Sequence, residues 1–245
     1  MKKKNQMLQD KRVTAVCSPM SSSGVTLTAM ALACVLAEEG GVSFAELGQP
    51  YVFEAFGLAK RFLLSGFTDC FDAYEQGKSL RSGENLWHGV HWALRPGALL
   101  PGQKPLSSPE EILRFAEKLP GAHTVLDCSG LDGRLLEGVL ARSDRILLVV
   151  DPLPGKLIPA APRLQRLRYA FPGARLVLCR MNPGVHRKTL NDYLGTEDYL
   201  QIPDVGAAVI YKAQFSCVLP WDLPEGRKLL ASLKKQEEKG GTIWP

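Results

Sequence analysis

RVTAVC (residues 12–17), SPMSSSG (18–24) and VTLTAMALACVLAEE (25–39) follow one another without interruption, and a double glycine, Gly40 and Gly41, comes directly after. The first run is short and β-branched, as a buried strand is. The third is Ala- and Leu-rich at helical period, and the glycines suit its C-terminal cap. The middle run holds only small residues apart from Pro19 and Met20. A small-residue loop between a buried strand and a helix N-terminus points backbone N–H groups and the positive end of the helix dipole at one spot, where a phosphate can sit.

The same alternation continues along the chain. Strands are expected at 12–17, 41–47, 89–94, 123–128, 145–151 and 175–179, with a shorter one at 199–202. Helices are expected at 25–39, 108–119, 160–170, 187–194 and 225–239. Ser108 is placed to cap the second helix, with Pro109 at its first position. Strands alternating with helices imply a mostly parallel sheet covered on both faces, a three-layer αβα architecture. Segments 67–84 and 96–109 read as the long loops, the first polar and the second carrying four prolines.

Composition sets wide bounds. The 245 residues suffice for one α/β domain over 1–245, with 1–11 as a flexible tail. The chain is 45% hydrophobic and 22% charged, ordinary globular values. Net charge is +5, but the basic residues are dispersed, and Lys2, Lys3 and Lys4 read as a solvated terminus rather than a nucleic-acid arm. Asn5, Gln6, Gln9 and Asp10 interrupt any apolar run behind them, so no secretory signal is read here. No apolar stretch is long enough to span a bilayer. Cys17, Cys34, Cys70, Cys128, Cys179 and Cys217 form no C-x-x-C pair, and they read as buried small apolar residues in a reducing, cytoplasmic setting. His88 and His91 flank a strand position and give no metal spacing.

A working phosphate loop runs Gly, four residues, Gly-Lys-Thr/Ser: the glycines let the backbone wrap phosphates, the lysine neutralises them, and the hydroxyl binds magnesium. Residues 17–47 resemble the opening of the MinD/ParA family of P-loop ATPases, where K-G-G-x-G-K-T precedes an Ala-rich helix. The match puts Gly24 at the retained glycine and Thr26 at the magnesium-binding hydroxyl. Ser21 and Ser22 replace the two glycines, with Ser23 following. Val25 takes the place of the phosphate-binding lysine, and Met20 that of the family's extra lysine. Where the family ends its second strand in D-x-D, this chain has Glu46, Leu47 and Gly48, so the second, water-positioning acid is missing. HTVLDCSG resembles the switch II strand end, with Asp127 at the acid and Gly130 at the glycine that meets a γ-phosphate. RLVLCRMNPG resembles the V-N-K turn, with Asn182 as the adenine contact and Arg180 in place of the lysine.

The resemblance therefore implies a nucleotide cradle of Ser21, Ser22, Ser23, Gly24, Val25, Thr26, Asp127, Gly130 and Asn182, with Thr26 and Asp127 toward Mg2+. The cofactor implied is ATP or ADP, weakly held. Each missing lysine would weaken phosphate binding by about 1.5–3 kcal/mol, so no catalytic residue is assigned. The leading reading is a non-hydrolysing regulatory, localisation or scaffolding module, acting as a homodimer or with a protein partner. Its alternative is an atypical ATPase that borrows Lys156, Arg180 or a second subunit's lysine. Segments 46–62, 149–157, 182–190 and 210–220 also resemble the TadZ/CpaE subgroup of Flp/Tad pilus and secretion systems. That subgroup implies a place at the inner membrane face through a partner. The aromatic segment 51–62 reads as either a partner face or a core helix.

Overall fold

The computed structural model describes residues 11–80, 84–97 and 105–238. The segment 1–10 of the expected tail and the end of the last expected helix lie outside these. Eight strands form one sheet: β1 (Arg12–Cys17), β2 (Val42–Glu46), β3 (Leu86–Trp87), β4 (Val90–Ala93), β5 (His123–Asp127), β6 (Arg145–Val150), β7 (Arg175–Met181) and β8 (Tyr199–Pro203). Their order is β3-β4-β2-β5-β1-β6-β7-β8, and every neighbouring pair is parallel except β3 with β4. Each longer strand falls within two residues of its expected bounds; the two-residue β3 has no sequence signal of its own.

The helices are α1 (Val25–Leu36), α2 (Val52–Ala55), α3 (Leu58–Arg61), α4 (Cys70–Glu75), α5 (Pro109–Lys118), α6 (Gly133–Leu140), α7 (Pro154–Ala170), α8 (Arg187–Leu194), α9 (Ala207–Ser216) and α10 (Arg227–Glu238). The strand period of two sorts β1 between two cores. Val13, Ala15 and Cys17 pack with residues of α5, α6, α7 and α8, while Val16 packs with residues of α1, α3 and α10. Helices thus cover both faces, as the alternating pattern requires.

Two expectations are corrected. The polar segment 67–84 is not all loop: Asp69 accepts hydrogen bonds from the Phe71 and Asp72 amides and caps α4. α7 begins at Pro154, six residues before its expected start, and contains Pro159 and Pro162. Both prolines and the residues whose carbonyls they orphan, Gly155 and Ile158, are exposed, while Leu157, Ala160, Leu164 and Leu167 face inward. The freed carbonyls lie on the solvent-facing side of the helix, so the prolines are tolerated. Segment 51–62 is two short helices parted at Gly57, where φ is +57°. Ser108 caps α5 as expected, its Oγ accepting from the Glu111 amide at 3.1 Å.

β1 and β5 are neighbours whose following connections run in opposite directions along the sheet, β1 on to β2 and β5 on to β6. The crevice at the C-terminal ends of such strands is where open α/β sheets bind ligands. Among the described residues no helix is long and apolar enough to cross a membrane.

Candidate functional site

The connection from β1 to α1 turns sharply, with left-handed backbone at Ser22 (φ 50°) and Gly24 (φ 92°). Gly24 is the N-cap of α1 and provides no side-chain acceptor, nor is there an acidic residue in the first turn. The first amides of α1 are therefore left for an acceptor from outside the helix. Within the loop, the Ser23 hydroxyl is buried and has no hydrogen-bond partner. Ser21, Ser22, Ser23, Gly24, Val25 and Thr26 all line one cavity of about 1030 Å³, together with Gly130, Arg163 and Arg180. That volume accommodates a nucleotide. Asp132 and Asp204 line it too.

Asp127 ends β5 and is fully buried. Its Oδ1 accepts from the Ser129 amide at 2.9 Å, while Oδ2 is buried without a partner. Burial pushes this carboxyl up, and the nearby Thr26 hydroxyl and Ser129 oppose the shift only partly. Thr26 does this without a well-formed hydrogen bond to Oδ2. Thr26 lines the cavity, while Asp127 is wholly buried behind it and is not part of the lining; the orphaned carboxylate oxygen beside the Thr26 hydroxyl is the feature that fits a divalent cation, and the loop amides fit phosphates. The lysine position does not fit: Val25 is buried in the core under the loop.

Glu46 pairs in register with Asp127 across β2 and β5. Its carboxylate accepts from the Tyr51 and Val52 amides at 3.1 and 3.2 Å, at the start of α2. Burial raises it to about 7, against the Tyr51 hydrogen bond and with added repulsion from Asp127. Two residues on, Gly48 lies against Gly130: a Cβ on Gly48 would come 2.6 Å from the Gly130 Cα. The position of the missing second acid is thus filled by the backbone of the opposite loop.

Beyond β6 the buried Asp151 gathers two cations. Its Oδ2 meets Lys156 Nζ at 3.1 Å and Arg180 Nη1 at 2.5 Å, and its Oδ1 accepts from the Leu153 amide. Burial alone would raise this carboxyl, but the Leu153 amide and the two cations bring it below its ordinary value. Lys156 Nζ also donates to the Ser22 carbonyl at 2.9 Å, in the β1–α1 loop itself. Lys156 and Arg180 are legible in the sequence as substitute cations; Asp151, which holds them together, is not, because a strand-end aspartate gives no signal of its partners.

Asn182 stands apart. Its amide donates to the Arg180 carbonyl and its Oδ1 accepts from the Gly184 amide, so its side chain is engaged in a turn and is absent from the cavity lining. The far wall is instead formed by 202–207 and α9, with Gln214 donating to the Tyr51 hydroxyl at 2.6 Å. His91 is buried beside Ser43 and His88 meets Asp222 at 3.2 Å; no metal cluster occurs among the described residues. Five of the six cysteines are buried, and none of the six forms a disulfide.

No protein-family model matches this chain, and no curated protein matches it. Solved structures do. The cell division ATPase MinD of Pyrococcus furiosus superposes with a TM-score of 0.66 at 18% identity, over 94% of this chain and 99% of that one. MinD complexed with Mg-ADP from Pyrococcus horikoshii gives 0.66 at 17%, over 95% and 98%. A ParA family ATPase from Chlorobium tepidum gives 0.65 at 13%, over 91% and 99%. The chain has the fold of the MinD/ParA ATPases, an α/β P-loop architecture.

Proposed function

We propose that this protein is a nucleotide-binding regulatory module on a MinD/ParA fold that binds without efficient turnover. The observation that carries the reading is the state of the loop and its surroundings. The uncapped α1 amides, Thr26 and Asp127 remain, while Val25 replaces the lysine and Gly48 is closed against Gly130. Phosphoryl transfer depends on neutralising developing charge and on positioning the attacking water. Binding needs only the cradle. Thr26 and Asp127 are the residues that would hold magnesium, which would supply charge neutralisation to a bound polyphosphate. A MinD–MinC complex from Aquifex aeolicus is among the similar structures, which supports a role exercised through a protein partner. The likeness of 46–62 and 149–157 to the TadZ/CpaE subgroup supports a pilus or secretion machine as that partner's setting.

Calorimetric titration with Mg-ATP, run beside a phosphate-release assay, tests this. Affinity on the order of 10⁻⁵–10⁻⁴ M with no release above background is the expected result. Sub-micromolar binding with turnover would favour the second reading, an atypical ATPase, for which the Lys156–Ser22 contact is the supporting observation.

A further inference from the structure

We infer that Lys156 and Arg180, gathered on Asp151, are the relocated cationic arm of the phosphate site, and that they supply to a polyphosphate seated on the loop the charge that Val25 lacks. The inference rests on the nucleotide-binding reading above and assigns the residues that would make it work.

Four observations converge. Lys156 reaches the phosphate loop directly, through the Ser22 carbonyl at 2.9 Å. Arg180 lines the same cavity as Ser22, Gly24 and Thr26. Both cations keep substantial exposure, 30% and 48% of their side chains, whereas the Asp151 that orients them is 3% exposed. A buried carboxylate under two half-exposed cations leaves the cluster with a net positive charge, and of its members Arg180 reaches the cavity wall, which also carries Arg163, Asp132 and Asp204. Finally, the Ser23 hydroxyl is buried, lines the cavity and lacks a partner, as expected of a loop shaped to meet an acceptor from outside the chain.

The local backbone shows that this placement is costly. Arg180 has φ 57° at an irregularity between β7 and β8, in a region a non-glycine residue seldom adopts. Lys156 sits in the first turn of α7, where a cation opposes the helix dipole. Neither position is what propensity selects, and together they bring the two charges to one carboxylate oxygen. Neutralising Asp151 would take a single cation. The second leaves charge for an anion, and a guanidinium beside an ammonium suits adjacent phosphate groups.

The polyphosphate could be part of a nucleoside di- or triphosphate or be free pyrophosphate. Titrations of ATP, ADP and pyrophosphate with magnesium, using the full chain, separate these. Lys156→Gln and Arg180→Gln are each expected to weaken binding about 10-fold or more. The double variant is made with Asp151→Asn, so that no buried carboxylate is left unpaired, and thermal melts confirm that each variant folds. Lys156→Arg, which keeps the charge at the same position, is expected to retain most of the affinity; a loss as large as that of Lys156→Gln would assign the weakening to a distorted loop and overturn the inference. If the wild type binds while both single variants bind within about twofold of it, the cationic arm is refuted and the nucleotide reading stands. Should the wild type bind none of the three ligands, both fall. Pyrophosphate binding as tightly as ADP identifies the phosphates alone as the recognised chemistry; much tighter ADP binding assigns the nucleoside a share, and either result keeps the arm.

Discussion

A Cβ built on Gly48 would fall 2.6 Å from the Gly130 Cα and 2.9 Å from its amide nitrogen, and one built on Gly130 would fall 2.3 Å from the Gly48 Cα. The loops after β2 and β5 meet glycine on glycine, backbone to backbone. Replacing Gly48 with Asp would therefore not restore a water-positioning acid. It would force the two loops apart, an overpacking cost of about 1–3 kcal/mol. Gly48→Asp is expected to melt about 2–12 °C lower and to release no phosphate. A melt unchanged from wild type, or turnover in this variant, would show that the contact yields easily.

Glu46 makes stability depend on pH in an unusual direction. Its carboxyl titrates near 7 in the folded chain against 4.5 ordinarily, so between these values the folded state binds more protons than the unfolded one. Stability is then greatest below about pH 4.5 as far as this group is concerned, and declines as pH rises toward 7. The full span corresponds to about 3 kcal/mol. Glu46→Gln should flatten the decline between about pH 5 and 8 in denaturant melts, and Asp127→Asn should lower the Glu46 midpoint by removing a like charge. An equally steep profile in Glu46→Gln would refute the assignment.

Asn85 ties the segment before α4 to the edge of the sheet. Its Oδ1 accepts from the Thr68 amide at 2.9 Å, and its Nδ2 donates to the carbonyls of Thr68 and Trp92 at 2.7 and 3.1 Å. The residue is buried with φ 54°, a conformation asparagine tolerates better than alanine. Asn85→Ala would orphan an amide and two carbonyls and add backbone strain, at about 2–4 kcal/mol. A fall in melting temperature of about 4–16 °C is expected, with nucleotide affinity unchanged.

The sheet is legible in the sequence because strands buried on both faces are continuous apolar runs, and the seven longer ones are read close to their true ends. The helices are harder to read where local signals conflict with the tertiary outcome. α7 is masked by Pro159 and Pro162, whose cost is small only because that face is solvated. α9 has apolar residues on every side, including the exposed Tyr211 and Phe215, so it offers no periodicity to find. At the site, Ser21 to Thr26 are legible because their chemistry is local to one loop. The hold of Asp151 on Lys156 and Arg180 is not, since it joins the ends of two neighbouring strands and the first turn of a helix, and Asn182 matches a motif whose side chain is here spent on its own turn.

Asp127 sets binding against stability. With Oδ2 buried and unpartnered, the ionised carboxylate carries a desolvation cost that only a cation would offset. Its folded-state titration is raised by burial, so at neutral pH it destabilises the ligand-free chain, and this cost diminishes as pH falls toward the ordinary carboxylate range. Asp127→Asn keeps the shape and an acceptor for the Ser129 amide while removing the charge. Without ligand, the variant is expected to be more stable by about 1–3 kcal/mol near neutral pH, and the gain should shrink on acidification. With Mg-ADP the order should change: wild type is stabilised further by magnesium than by ADP with a chelator, and the variant is not. Melts of both proteins in the four combinations of ADP and magnesium check this. A ligand-free variant less stable than wild type would mean that Asp127 is satisfied in the native chain, and equal magnesium dependence in the two proteins would remove it from the metal site.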